Sequence, residues 1–143
     1  MKYTEEITTK AQAFCHLLLY FSLFEDEAFE GEETLQVFSI LQMYSFTQSA
    51  DFPEDVNLFF DYKNEIDSER NYLDFLVTFI DSEAPTLILF HAAQVAMSDA
   101  VYSEHDKASL HLLSEVLGVE SEEARMIIKL AFEQRMLKIK GDF

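Results

Sequence analysis

Apolar residues recur along this chain at intervals of three and four positions, and strict alternation of apolar and polar residues is nearly absent. The first pattern places apolar side chains on one face of an α-helix, whereas alternation would indicate a β-strand. Three glycines and two prolines leave few positions that break a helix. The pattern predicts an all-α fold, a compact bundle of about seven helices that forms one domain over residues 1–143.

Apolar periodicity also predicts which side chains each helix buries. The segment that begins near Glu32 is predicted to bury Leu35, Phe38, Leu41 and Met43. The segment at residues 85–98 is apolar nearly all round, so it is predicted to lie at the centre of the bundle. The predicted helices span about residues 4–24, 32–43, 52–67, 68–80, 85–98 and 103–118, with a last one that starts at residue 121.

Residues that favour or break helix ends set several of these limits. Pro53 and Pro85 stand at early helical positions, where a missing amide proton costs nothing. Ser68 and Ser103 are predicted N-caps, since a serine oxygen can accept from the free amides of the first turn. Gly118 is predicted to close its helix in the left-handed conformation that glycine adopts without strain.

The formal net charge of −17 argues against partners that are themselves strongly anionic. Nucleic acid and anionic membrane surfaces are bound through lysine and arginine, so direct binding to either is not expected. The charge is unevenly distributed, because residues 25–33 hold six acids and no base, whereas residues 125–140 hold half of all the lysines and arginines. The bases in the last predicted helix complement the negative end of its dipole and favour solubility.

Targeting signals and cysteine usage bear on location. The first ten residues lack the basic and apolar regions of a signal peptide, and the strongly apolar run from Leu87 to Met97 is about half as long as a membrane span. The lone Cys15 lies in an apolar helical run and is interpreted as a buried small hydrophobic residue in a reducing compartment. A cytoplasmic protein without a transmembrane segment is expected.

Two acidic turns share one pattern, in which an Asp follows an apolar helix, an aromatic residue comes three positions later and a second acid comes seven positions after the first. The turns are Asp26 to Glu33 and Asp99 to Asp106. A helical connection of this length folds back and brings carboxylates from two helix ends together. Two or more carboxylate oxygens are what a hard divalent cation requires, so both turns are candidate cation sites.

The stretch from Val95 to Asp106, continued by the Leu-Gly-Val-Glu-Ser-Glu-Glu-Ala segment at residues 117–124, resembles the TerB-like tellurite-resistance domain. The family hallmark is an alanine-rich helix that enters an Asp-Gly turn with an acid seven residues later, usually twice per domain. Here Glu27 and Ala100 replace the glycine, so a left-handed backbone at that position would cost roughly 1 kcal/mol or more. The family is associated with divalent metals, stress responses and partner complexes at the inner membrane face, and no catalytic activity is established for its fold.

The resemblance therefore implies an all-helical, non-enzymatic, stress-related protein that binds a divalent cation such as Ca²⁺. The positions that match the family acids, together with two acids nearby, are Asp26, Glu30, Glu33, Asp99, Glu104 and Asp106.

Each of these acids also has a structural interpretation. The sequence from Ser103 to Asp106 resembles a capping box, and acids from Glu30 to Glu33 favour the positive end of the helix that follows them. Asp26 and Asp99 can end helices by accepting from local backbone amides. Capping and cation binding both remain open on the sequence alone.

A second function from a different class is a metal-free interaction or adaptor module. Its acidic face would dock a protein partner with a basic surface, or would mimic nucleic acid. Salt-sensitive association would favour this function, whereas saturable calcium binding would favour the first.

Other metal and catalytic chemistry finds no support. No histidine has a glutamate three residues before it, as a di-iron bundle requires, and an EF-hand read from Asp26 would place Val37 at the bidentate position. Cys15 and His16 point about 100° apart on a helix, so they do not form a nucleophile and base pair. His91 is interpreted as a core histidine whose ring is satisfied by a hydroxyl or a carbonyl group.

Overall fold

Eight α-helices and two short 3₁₀ turns, Ser45–Thr47 and Lys63–Glu65, make up the regular structure of the described residues, which contain no strand. The structure is a computed structural model that describes residues 2–25, 31–48, 51–80, 84–98 and 102–140, with the backbone alone for 31–33 and 138–140. The predicted all-α class is confirmed. The helices are α1 Lys2–Glu6, α2 Lys10–Leu23, α3 Gly31–Gln42, α4 Phe52–Tyr62, α5 Glu69–Phe79, α6 Pro85–Ala96, α7 Glu104–Leu117 and α8 Ser121–Lys140.

Two helices lie at the centre of the bundle. α2 is buried on nearly every side and packs against α3, α4, α5 and α6. α6 packs against α2 on one side and against α7 and α8 on another, so the predicted central position of residues 85–98 is confirmed. Both helices are apolar nearly all round, which is the composition of a helix that is buried on most sides. Every helix contributes buried side chains to one continuous hydrophobic core.

The predicted single helix over residues 4–24 is wrong, because the chain leaves the helical path between α1 and α2. Thr9 has extended backbone angles, and its hydroxyl oxygen accepts from the Gln12 amide at 3.1 Å. The Gln12 side-chain oxygen accepts in return from the Thr9 amide at 3.2 Å. This capping box satisfies amides that a continuous helix would have bonded internally. Ile7 stays buried across the break, so the apolar stripe spans two helices.

The face that α3 buries also differs from the prediction. Leu41 is buried, but Leu35, Phe38 and Met43 are 62%, 39% and 66% exposed. Apolar residues lie on several sides of this helix, so its periodicity does not select one face. Packing against α2 and α6 selects it instead. The buried residues of α3 are Thr34, Val37, Ile40 and Leu41.

Most predicted helix ends are confirmed. The Ser68 hydroxyl accepts from the Asn71 amide at 3.2 Å, and Gly118 closes α7 with a φ of 75°. Pro53 and Pro85 both lie in first turns. The helix predicted to stop near Asp67 ends earlier, at Tyr62, and continues as a 3₁₀ turn. Within the described ranges, no helix is both long and apolar enough to cross a lipid bilayer.

Candidate functional site

The described flanks of the two acidic turns meet in one place. The last turn of α2 and the start of α7 line a pocket of about 90 Å³, which we call the seam pocket. The Phe24 ring stacks on the His105 ring with centroids 5.9 Å apart and an interplanar angle of 14°. Glu25 Oε1 lies 3.0 Å from His105 Nδ1. The residue before Asp26 therefore contacts the helix that follows the second turn, a contact between the two turns that the sequence did not predict. The predicted approach of carboxylates within each turn involves acids that lie partly outside the described residues.

His105, which lines the seam pocket, lies between two carboxylates. Its Nδ1 contacts Glu25, and its Nε2 lies 3.5 Å from Glu69 Oε2. Glu69 Oε2 also accepts from the Tyr20 hydroxyl and, at 3.0 Å, from the Ser109 hydroxyl. Burial, followed by the hydrogen bond to Glu69, raises the pKa of Tyr20 well above its ordinary value. The Tyr20 hydroxyl therefore stays protonated and acts as a donor to Glu69.

The two predicted ligands whose side chains are described both have structural roles. Asp106 Oδ2 accepts from the Ser103 amide at 3.0 Å, and the Ser103 hydroxyl accepts from the Asp106 amide at 3.1 Å, so the predicted capping box is present. Glu104 is exposed and pairs with Lys107 at 3.0 Å. Asp26, Glu30 and Asp99 lie outside the described residues. Glu33 lies in α3, and its side chain is also outside them.

The seam pocket, in its described part, does not fit a cation. Over the described ranges, no group of three or more His, Cys, Asp or Glu side chains is placed to hold a metal ion. The oxygen of Glu69 is surrounded by hydrogen-bond donors, and Asp106 is engaged by a helix cap. A metal ligand needs lone pairs directed at a shared point. Any cation site at this seam would depend on acids outside the described residues.

A second surface feature was not predicted. A groove of about 380 Å³, which we call the acidic groove, runs between the α1–α2 connection and α4. Its described lining contains four acids, Glu6, Asp51, Glu54 and Asp55, and no lysine, arginine or histidine. Asp51 is the N-cap of α4, because its Oδ1 accepts from the Glu54 amide at 3.2 Å. The groove therefore presents a concentrated negative charge on helical elements.

Asp55, at the inner side of the groove, continues into a buried hydrogen-bonded chain. Asp55 Oδ1 lies 2.9 Å from His16 Nε2, and His16 Nδ1 lies 2.7 Å from the Tyr62 hydroxyl. The Tyr62 hydroxyl in turn lies 2.5 Å from that of Tyr72. All four residues are buried, and they come from α2, α4 and α5.

One proton arrangement uses every donor in this chain. Tyr72 donates to Tyr62, Tyr62 donates to His16 Nδ1, and Nε2–H donates to Asp55. The reverse direction would leave the Tyr72 proton without an acceptor among the described residues, which is costly for a buried hydroxyl. Burial also raises the pKa of Tyr62 and Tyr72 well above the ordinary tyrosine value, so both hydroxyls remain donors.

One residue of this hydrogen-bonded series could have been recognised from the sequence. A histidine inside an apolar run must find a polar partner once it is buried, and His16 is fully buried. Its partners Asp55 and Tyr62 are 39 and 46 residues away, so periodicity could not identify them. Cys15 is buried as predicted, and burial raises the pKa of its thiol.

His91 is satisfied by side chains within the core, in agreement with the prediction. Its Nε2 lies 2.5 Å from the Tyr44 hydroxyl, and its Nδ1 lies 2.7 Å from Gln94 Oε1. Gln94 Nε2 then donates to Gln134 Oε1 at 2.9 Å, which links α6 to α8. Burial lowers the pKa of His91, and this favours the neutral ring at neutral pH.

Comparison of the chain with protein-family models, with curated proteins and with solved structures finds no match. The resemblance to the TerB-like family thus stays a prediction from the motif at residues 95–124. The class supported by the structure is an all-α helical bundle with an acidic surface groove.

Proposed function

We propose that this chain is a non-enzymatic acidic binding module that docks a basic protein partner in the acidic groove. The observation that supports the proposal is the set of four carboxylates in a groove whose described lining has no base. Like charges held this closely repel, and a lysine or arginine from a partner would relieve that repulsion. An anionic ligand would be repelled by the same field.

The four acids contribute differently to this role. Asp51 caps α4 and Asp55 bonds to His16, so both are held in place by the fold. Glu6 and Glu54 are exposed, and neither has a lysine or arginine within ion-pair distance among the described residues. These two glutamates are the groups available to a partner, and the other two shape the groove.

Titration with hexalysine, a simple basic probe, tests the proposal. Binding should weaken steeply as salt is raised, because exposed ion pairs are screened. Replacing both Glu6 and Glu54 by glutamine should weaken binding by roughly two- to thirty-fold, since exposed pairs contribute about 0.2–1 kcal/mol each. Both side chains are exposed, so the double variant should retain its fold.

The matched control replaces Glu122 and Glu123, two exposed acids at the start of α8, by glutamine. It removes the same charge from a different surface. A larger loss of affinity in the groove variant supports docking there. Equal losses in both variants, or binding that is insensitive to salt, would contradict it. A partner that DNA displaces competitively would point to nucleic-acid mimicry at the same groove.

A divalent-cation site at the seam is the second candidate, and the contact between Glu25 and His105 favours it, because the flanks of both acidic turns meet there. The motif resemblance to the TerB-like family supports a stress-related role for such a site. Calcium should then raise the melting temperature, and Asp26→Asn combined with Asp99→Asn should remove the shift. Calorimetry without heat and a melting temperature unchanged at millimolar calcium would reject this candidate.

A further inference from the structure

A third concave surface differs in chemistry from both acidic sites. It is a pocket of about 340 Å³, which we call the aromatic pocket, between the start of α2, the Ser45–Thr47 turn and α6. Its apolar walls include the rings of Phe14 and Phe46 and the side chains of Ile80 and Ile88. The volume lies at the lower end of the roughly 300–1,000 Å³ found for ligand sites, which suits a small molecule.

Lys10 supplies a positive charge at this pocket. Its ammonium lies 4.4 Å from the centre of the Phe46 ring, and no carboxylate lies within ion-pair distance of it in the described part of the chain. Lys2 and Lys107, by contrast, both pair with acids. An ammonium that has no acid partner among the described residues is a point of positive potential beside an apolar cavity.

The other described polar residues that line the aromatic pocket, Tyr44 and His91, are neutral. Tyr44 donates its hydroxyl proton to His91 Nε2, because His91 Nδ1–H donates to Gln94 Oε1. Burial lowers the pKa of His91, which keeps its ring uncharged. Among the described lining residues, Lys10 thus carries the formal charge.

We propose that the aromatic pocket binds a small amphipathic carboxylate, with its apolar body against Phe14, Ile80 and Ile88 and its carboxylate at Lys10. An apolar ligand gains by leaving water, and its carboxylate gains by pairing with an ammonium that lies over the Phe46 ring and has no acid partner in the described part of the chain. This site is separate from the acidic groove and does not depend on the proposed partner docking. A cationic ligand would be repelled by Lys10, and a long chain would exceed the cavity.

Calorimetric titration of the full chain with octanoate, octanol and octylamine tests both parts of the proposal. Octanoate should bind most tightly, octanol more weakly and octylamine not measurably. Lys10 is exposed, so Lys10→Met should reduce octanoate affinity by roughly 1.5- to 5-fold, which corresponds to the loss of one exposed ion pair, and should leave octanol affinity unchanged. Amide shifts on adding octanoate should be confined to the residues that line the pocket.

A second variant tests the location. Leu87 lines the pocket and is 41% exposed, so Leu87→Asp places a negative charge at the site without disturbing the core. It should abolish octanoate binding. The controls Lys129→Met and Leu130→Asp make the same changes on the exposed side of α8 and should have no effect. Equal binding of octanoate and octylamine, unchanged affinity in Lys10→Met, or shifts away from the pocket would overturn the proposal.

Discussion

His16 Nε2 lies 2.9 Å from Asp55 Oδ1, and both side chains are withdrawn from solvent. This contact links α4 to the central helix α2 at the inner side of the acidic groove. A hydrogen bond to a buried partner restricts the motion of a carboxylate, even where the residues around it are exposed to solvent. The inner side of the groove is therefore set by the core, while Glu6 and Glu54 at its surface are free to meet a partner.

Tyr62→Phe should destabilise the fold, because the Tyr62 hydroxyl connects His16 to Tyr72. Its loss leaves two buried polar groups without a partner, at about 1–3 kcal/mol each when nothing replaces the bond. Urea unfolding measures the change. Tyr102→Phe is the control, since that hydroxyl makes no hydrogen bond with the described residues, and it should have almost no effect. Equal stability of the two variants would show that the hydrogen bonds of the Tyr62 hydroxyl contribute nothing to the free energy of unfolding.

Gly118→Ala should cost about 1 kcal/mol or more of unfolding free energy, through the backbone alone. The residue has a φ of 75°, and a Cβ built there meets nothing within 4 Å. Asparagine tolerates the left-handed region better, so Gly118→Asn should cost less. Thermal unfolding of both variants separates the two contributions, and a greater loss for asparagine would indicate a steric cause instead.

Alkaline pH should destabilise the fold through its tyrosines. Burial raises the pKa of all six, to about 12 for Tyr102. Above the unfolded value near pH 10, the folded state therefore binds more protons than the unfolded state, and stability falls as pH rises. Denaturant unfolding between about pH 9 and 11 should show this slope. Tyrosinate absorbance that rises near pH 10 without unfolding would contradict it.

Acidification should destabilise the fold through His91. Burial lowers its pKa below the unfolded value of about 6.5, so the folded state binds fewer protons there and stability falls as pH decreases through that value. His91→Gln keeps a polar group at the site and should reduce the slope of stability against pH between about 5 and 7. A slope in this range that is the same in the variant and in the parent chain would contradict the prediction.

Local sequence signals predicted much of this fold. Ser68, Ser103 and Gly118 mark real helix ends, because capping depends on the few residues beside it. The prediction of one continuous helix over residues 4–24 was wrong, because it followed the apolar spacing and missed the local cap at Thr9. The exposure of Leu35 and Phe38 was beyond local reasoning, because it depends on which neighbours α3 meets.

The residues that form the candidate sites were harder to predict from the sequence than the helix ends. The acidic groove brings Glu6 together with Asp51 and Glu54, and the buried series of hydrogen bonds brings His16 together with Asp55. These contacts arise from the tertiary packing of distant segments, so the periodicity of apolar residues along the sequence does not reveal them. The contact between Glu25 and His105 likewise joins the flanks of two different turns, 80 residues apart, and was not predicted.

The role of Asp106 can be decided by combining mutation with calcium. Its carboxylate accepts from the Ser103 amide, so Ser103→Ala should cost about 0.5–2 kcal/mol through loss of the cap. Asp106→Ala should cost a similar amount, and the double variant should cost less than the sum, because each half of a capping box depends on the other.

Calcium distinguishes this structural role from a ligand role. If Asp106 serves only α7, the stability lost in Asp106→Ala should be the same with and without calcium, as measured by urea unfolding. If it were also a ligand, calcium would stabilise the parent chain but not the variant, and the loss would grow with calcium concentration. Because the capping box already engages the carboxylate with the Ser103 amide and hydroxyl, we expect a loss that is independent of calcium.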